Sequence, residues 1–240
     1  MQEIELKEIK KDYRSNEAYK SLRTNIEFSG EDNKVLVFTS CTPNEGKSTV
    51  TIALAHALAE AGKKVLFIDA DLRKSVLAGR HKVHGQLKGL SHFLSGQTEL
   101  GEVMYRVKDT NMVMIFAGVV PPNPAELLGG KRFESLLTSA RKAYDYVIID
   151  APPLGSVIDA AIIAKQSDAS VFVISANTVS HKFAKVVKEQ LEKSGCPILG
   201  VVLNKVDMGQ NKYYGKYYEK YYGTYGDYGH EKEGKAEEEA

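Results

Sequence analysis

A doubly wound α/β domain, with a mostly parallel sheet and helices on both faces, is predicted by three features of the chain. Short apolar runs such as Val35-Leu36-Val37-Phe38, Val65-Leu66-Phe67-Ile68 and Tyr146-Val147-Ile148-Ile149 recur between helical stretches. A strand buried on both faces reads as a continuous apolar run, and strands alternating with helices give a parallel sheet. Next, the loop Ser40-Cys41-Thr42-Pro43-Asn44-Glu45-Gly46-Lys47-Ser48-Thr49 joins the first run to the helical run from Val50 to Ala59. Finally, two of the apolar runs end directly in acids, Asp69 and Asp150.

The loop reads as a phosphate cradle. Gly46 lets backbone approach a ligand, neighbouring N–H groups face an anion at the positive end of the helix, Lys47 adds charge and the Ser48 hydroxyl can hold Mg²⁺. This is P-loop NTPase chemistry, and Thr42, Pro43, Asn44, Glu45, Gly46, Lys47, Ser48 and Thr49 are the expected nucleotide contacts. Lys47 is expected to be a surface charge aimed at phosphates. Cys41 stands where the usual pattern has its first Gly.

With 240 residues, 43% of them hydrophobic, the chain can build one soluble α/β domain with appendages. The expected boundaries are 1–33 for an N-terminal arm, 34–208 for the nucleotide-binding domain and 209–240 for a tail. No continuous apolar stretch suggests a signal peptide or membrane span, so the chain is expected to stay in the cytosol. Cys41 and Cys196 match no metal spacing and are expected as reduced thiols. A net charge of +1 gives no argument for nucleic acid.

From the N-terminus, Tyr13 to Phe28 has helical spacing, with Ala18, Leu22 and Ile26 along one face and Glu17, Lys20 and Arg23 along another. Gly62 and Lys63-Lys64 close the helix after the phosphate loop. The next strand delivers Asp69, Asp71 and Arg73 to the crevice at the strand's carboxyl end, with Arg73 an expected nucleotide contact. Leu87, Leu90, Phe93 and Leu94 suggest a short amphipathic helix, and His81 and His84 are expected at the surface. Met112 to Phe116 is a strand, followed by a rigid Pro121-Pro122-Asn123-Pro124 loop and a helix beginning near Ala125. A helix from Phe133 to Tyr144 leads to the strand ending at Asp150, which is placed to hold the Mg²⁺ water shell opposite Ser48. Val171 to Ile174 and Ile198 to Leu203, separated by a helix from Ser180 to Ser194, complete the sheet. The last strand ends in Asn204-Lys205-Val206-Asp207, which resembles a guanine-reading signature. Pro153, where GTPases place a γ-phosphate-sensing Gly, weighs against GTP and leaves Asn204 as a contact for an adenine edge.

Beyond Met208 the composition changes: Tyr213, Tyr214, Tyr217, Tyr218, Tyr221, Tyr222, Tyr225 and Tyr228 stand among Gly, Lys and acids, without core-forming aliphatics. This predicts a disordered tail whose tyrosines accept phosphate.

Together these motifs resemble the bacterial tyrosine kinases of capsule and exopolysaccharide synthesis, in the form of a separate cytosolic subunit. The resemblance rests on the phosphate loop, Asp69-x-Asp71-x-Arg73, Asp150-x-x-Pro153, Glu17-x-x-Lys20-x-x-Arg23 and the tyrosine cluster, in the family's order. It implies ATP and Mg²⁺ as cofactors, with Ser48, Asp71 and Asp150 around the metal. It also implies Lys47, Asp69 and Asp71 as catalytic residues, Asp69 being preferred as the base that deprotonates the acceptor tyrosine. Further implied are a homo-oligomeric ring held by Glu17, Lys20 and Arg23, autophosphorylation of the tail in trans, and control of polysaccharide polymerisation and export. The implied partners are the cytosolic tail of a membrane adaptor, which recruits the kinase to the inner face of the membrane, and a cognate tyrosine phosphatase. Two departures are Lys20, where the family has Arg, and Ser75, where relatives often have Pro.

The competing reading is a MinD/ParA-like ATPase switch. Such switches carry a second lysine five residues before the loop lysine, where this chain has Thr42. A non-catalytic scaffold would not need both Asp69 and Asp71. Eukaryotic-type kinases are excluded by the absence of His-Arg-Asp and Asp-Phe-Gly motifs.

Overall fold

In the computed structural model the strands, in chain order, are β1 (Gln2–Ile4), β2 (Val35–Ser40), β3 (Val65–Asp69), β4 (Tyr105–Val107), β5 (Met112–Ile115), β6 (Tyr146–Asp150), β7 (Ala169–Ser175) and β8 (Ile198–Asn204). They form one sheet in the order β1-β4-β5-β3-β6-β2-β7-β8. Every pairing is parallel except β4 with β5. The described residues are 1–6, 13–81 and 87–207; His84 and the eight tail tyrosines lie outside them. Within this range Met1–Asn204 makes up one compact unit.

The continuous apolar runs feed two cores at once, because successive strand residues point to opposite faces. Val35 and Val37 enter one layer with Leu66, Ile68, Val147 and Ile149. Leu36 and Phe38 enter the other with Val65, Phe67 and Ile148. The first layer is closed by α4 (Leu90–Leu94), α5 (Pro124–Leu128), α6 (Lys131–Ala143), α7 (Asp159–Ala164) and α8 (His181–Glu192). The second is closed by α1 (Tyr13–Glu27), α2 (Lys47–Glu60) and α3 (Leu77–Arg80).

The α2 helix is buried nearly all round, which its alanine-rich sequence permits by keeping the helix thin. Its outer side is covered by α1, so residues 13–27 of the expected arm lie against the sheet domain, and β1 adds a strand to the sheet. The docking face of α1 differs from the expected one. Ala18 is exposed, whereas Tyr19, Leu22 and Ile26 pack inward and Arg23 donates to the Ala57 carbonyl at 3.2 Å. Contact is made by the C-terminal half of α1, which shifts the buried stripe away from Ala18. His81, expected at the surface, is buried at the end of α3, where Leu77 draws that short helix into the core. Three elements had no signal in the periodicity: β1 and β4 have three residues each, and α7 has six.

Candidate active site

The site lies at the carboxyl ends of β2, β3 and β6, where parallel pairing puts Asp69 opposite Asp150 and Phe38 opposite Asp150. Adjacent strands therefore present two acids beside the phosphate loop, at the crevice where doubly wound sheets bind ligands.

The loop is braced from beneath. Asn44 and Gly46 adopt left-handed backbone, with φ of 67° and 85°, and Gly46 supplies the turn into α2 without a Cβ penalty. Glu45 is buried rather than turned to a ligand: its carboxylate accepts from the Thr42 N–H at 2.8 Å and from the Ser175 N–H of β7 at 3.3 Å. Asn204 Nδ2 donates to the Glu45 carbonyl at 2.9 Å, so this side chain ties the end of β8 to the loop. Cys41 is fully buried, and burial, helped by the nearby Glu45 charge, pushes its thiol up to about 11. The segment leaving β6 is fastened to the same loop. Thr39 donates to the Pro152 carbonyl at 2.8 Å, and the Leu154 N–H donates to the Ser40 carbonyl at 2.9 Å.

At the centre, Lys47 Nζ lies 2.5 Å from Asp150 Oδ1 and 3.4 Å from Ser48 Oγ. Only 6% of Lys47 is exposed, against the expectation of a surface charge. A buried ammonium needs a counter-charge, and Asp150 provides it. This arrangement tests the site for a metal. A cation already sits between the hydroxyl and the carboxylate expected to hold Mg²⁺, and both donors are hard oxygens of the kind Mg²⁺ prefers. Among the described residues no three His, Cys, Asp or Glu side chains converge as a self-sufficient metal site. That suits an ion completed by water and phosphate oxygens.

Asp69 is 1% exposed, and burial, reinforced by the Asp150 charge, pushes its carboxyl up to about 7. The Ser75 hydroxyl, which donates to Asp69 Oδ2, and the Lys47 charge oppose that rise. Oδ1 accepts from the Asp71 N–H at 3.3 Å. Asp71 itself caps its own turn, taking the N–H groups of Arg73 and Lys74 on Oδ1 at 3.3 and 2.9 Å. Arg73, an expected nucleotide contact, has its guanidinium on Asp159, with Nε at 2.8 Å and Nη2 at 2.9 Å from the two carboxylate oxygens. Three contributors escaped the sequence reading in these roles: Ser75, Asp159 and Gly155. A Cβ on Gly155 would stand 2.2 Å from the Cys41 carbonyl oxygen.

The AAA domain family matches residues 34–193. Tyrosine-protein kinase CpsD of Streptococcus agalactiae is 42% identical over 216 residues, spanning 90% of this chain and 89% of that protein. The chain belongs to the bacterial tyrosine-kinase family. The kinase domain of Escherichia coli tyrosine kinase ETK superposes with a TM-score of 0.74 at 35% identity, covering 80% of this chain and 78% of that one. The septum site-determining protein MinD of Pyrococcus horikoshii, solved with Mg-ADP, aligns with a TM-score of 0.62 at 25% identity over 75% of this chain and 72% of its own. The kinase therefore shares its fold with that protein while its sequence lies nearer the tyrosine kinases. Among its described residues no helix is long and apolar enough to cross a membrane.

Proposed function

We propose that this tyrosine kinase transfers the γ-phosphoryl group of Mg-ATP to tyrosines of its own C-terminal cluster in a neighbouring copy, and so regulates capsular or exopolysaccharide polymerisation and export. The observation that carries the reading is the meeting of Lys47, Ser48, Asp150 and Asp69 at one rim of the sheet.

Lys47 and the loop N–H groups from Asn44 to Thr49 bind the phosphates. Ser48, Asp150 and Asp71 would hold Mg²⁺, which when bound neutralises charge building on the transferred group. Asp69 takes the proton of the acceptor tyrosine: the phenolic oxygen forms a bond to the γ-phosphorus, the bond to ADP breaks, and the phenol hydrogen passes to the Asp69 carboxylate. A carboxyl pushed up to about 7 is a better match to a phenol at about 10 than an ordinary one. Asn204 supports the loop in this scheme. Glu17, Lys20 and Arg23 on α1 join neighbours into a ring. A membrane adaptor's cytosolic tail stimulates the kinase and recruits it to the membrane, and a tyrosine phosphatase reverses its product.

The test is phosphotyrosine mass spectrometry of the purified full chain incubated with Mg-ATP, with and without an adaptor's cytosolic tail. Label is expected on the cluster from Tyr213 to Tyr228 and absent from Lys47→Met, whose Mg-ATP affinity should fall by on the order of 1.5–3 kcal/mol in calorimetry. Removing Lys47 also strands Asp150 in the interior, so this variant should melt at a lower temperature. Wild-type label no greater than that of Lys47→Met, with the adaptor tail present, would count against the proposal.

A further inference from the structure

Asp159 is a fully buried carboxylate in the first turn of α7, a position where packing alone would favour an apolar residue. Its neighbours Ala160 and Ile163 are core residues that fix α7 against the sheet. Both of its oxygens are taken by the Arg73 fork, at 2.8 and 2.9 Å. This planar two-bond geometry sets direction as well as charge, and a lysine cannot reproduce it. From Arg73 the bonding continues along the loop that follows β3. The Arg73 N–H donates to Asp71 Oδ1 at 3.3 Å, and the Asp71 N–H donates to Asp69 Oδ1 at 3.3 Å. The opposite side of the clamp is equally anchored, because the segment from Asp150 to α7 is held by the Leu154 N–H on the Ser40 carbonyl at the base of the phosphate loop.

We propose that Asp159 is a positioning residue for phosphoryl transfer: by gripping Arg73 it holds the Asp69–Asp71 loop in register with the segment that leaves Asp150. The inference rests on the kinase reading of the site. It gives Arg73 a structural task in place of a nucleotide contact, and it assigns Asp159 a part in the reaction although Asp159 touches no reacting atom.

The test uses the full-length protein and measures single-turnover transfer at saturating Mg-ATP, Mg-ADP affinity by calorimetry, and thermal unfolding. Asp159→Asn keeps the shape but faces Arg73 with an amide. It should transfer at least about tenfold more slowly, with any loss of Mg-ADP affinity through Asp71 clearly smaller than the loss of rate. Arg73→Lys should behave alike, and the double variant should be no slower than the slower single one, since both break the same clamp. Wild-type transfer by Asp159→Asn, multiplying losses in the double variant, or a loss of Mg-ADP affinity as large as the loss of rate would each overturn the inference. Should Asp159→Asn fail to fold, Arg73→Lys decides alone, its side chain being 40% exposed, and a wild-type rate there overturns the inference. A wild type that transfers nothing overturns the kinase reading and the clamp with it, whereas an active wild type beside an equally active Asp159→Asn overturns the clamp alone.

Discussion

Asp69 sits where burial and the charge of Asp150 outweigh the Ser75 hydrogen bond and Lys47, leaving its carboxyl at about 7 against an ordinary 3.8. Between those values the folded chain keeps a proton that the unfolded chain has lost. This group therefore adds stability at low pH, and its contribution declines as pH rises from about 4 to about 7. In Mg²⁺-free and nucleotide-free buffer, wild type should lose a few kcal/mol more unfolding free energy than Asp69→Asn between about pH 5 and about pH 7.5. Parallel pH profiles from urea denaturation would show that Asp69 does not titrate in that window. The identity of this residue was legible, because an acid ending an apolar run beside a phosphate loop has few other uses. Its surroundings were not. The contact with Ser75 closes a turn whose geometry no spacing rule specifies, and the bond between Arg73 and Asp159 joins residues 86 positions apart.

At the level of elements, the strands that form the middle of the sheet were legible because burial on both faces leaves an unbroken apolar run. The edge strand β1 and its neighbour β4 were not, since three residues carry no periodicity and β4 pairs antiparallel with β5. The α2 helix was legible in place but not in its burial, which depends on α1 covering it. The loop between β6 and α7 is read only in the structure, where Gly155 presses its backbone on the phosphate loop. An added Cβ there would stand 2.2 Å from the Cys41 carbonyl oxygen and 2.9 Å from the tip of the Phe183 ring. Gly155→Ala should cost about 1–3 kcal/mol of stability, as overpacking does, and weaken Mg-ATP binding by displacing the loop. Gly200→Ala, where a Cβ meets nothing within 4 Å, is the matched control and should stay within about 0.5 kcal/mol of wild type. Equal melting temperatures and equal calorimetric affinities for the two variants would remove Gly155 from the support of the site.

For the molecule as a whole, the proposed reaction depends on which copy's tail reaches which site. The chain leaves β8 at Asn204, which is bonded to its own phosphate loop, and the acceptor cluster begins at Tyr213. A Gly-containing coil of eleven residues, the length from Asn211 to Tyr221, which lies outside the described residues, would span about 17–19 Å root-mean-square, enough to cross a border between copies joined through α1. Transfer in trans is therefore expected. Each phosphotyrosine adds about −1.5 to −2 charges, so a fully modified cluster would carry about −12 to −16, be repelled by acidic sites such as that of Asp69, Asp71 and Asp150, and loosen the assembly. A Lys47→Met chain with an intact tail is mixed with an active chain whose eight tail tyrosines are Phe, and phosphotyrosine is followed together with mass by light scattering. The inactive chain should acquire label, and heavily labelled wild type should lose mass. An unlabelled inactive tail beside self-labelling wild type would place transfer within one copy, and an unchanged mass would refute the repulsion.

The ion pair of Lys47 with Asp150 makes the ammonium an internal substitute for whatever cation later occupies the site. Lys47 can swing to a phosphate only when another positive charge takes over Asp150, since a bare carboxylate with 1% exposure is costly. Nucleotide arriving without a metal would draw the lysine away and expose that cost, and metal arriving without nucleotide would release a buried ammonium with no anion to meet. Each ligand alone meets this penalty, and the two together cancel it. Nucleotide and metal are therefore expected to bind together more tightly than either binds singly, because the Lys47–Asp150 pair couples them.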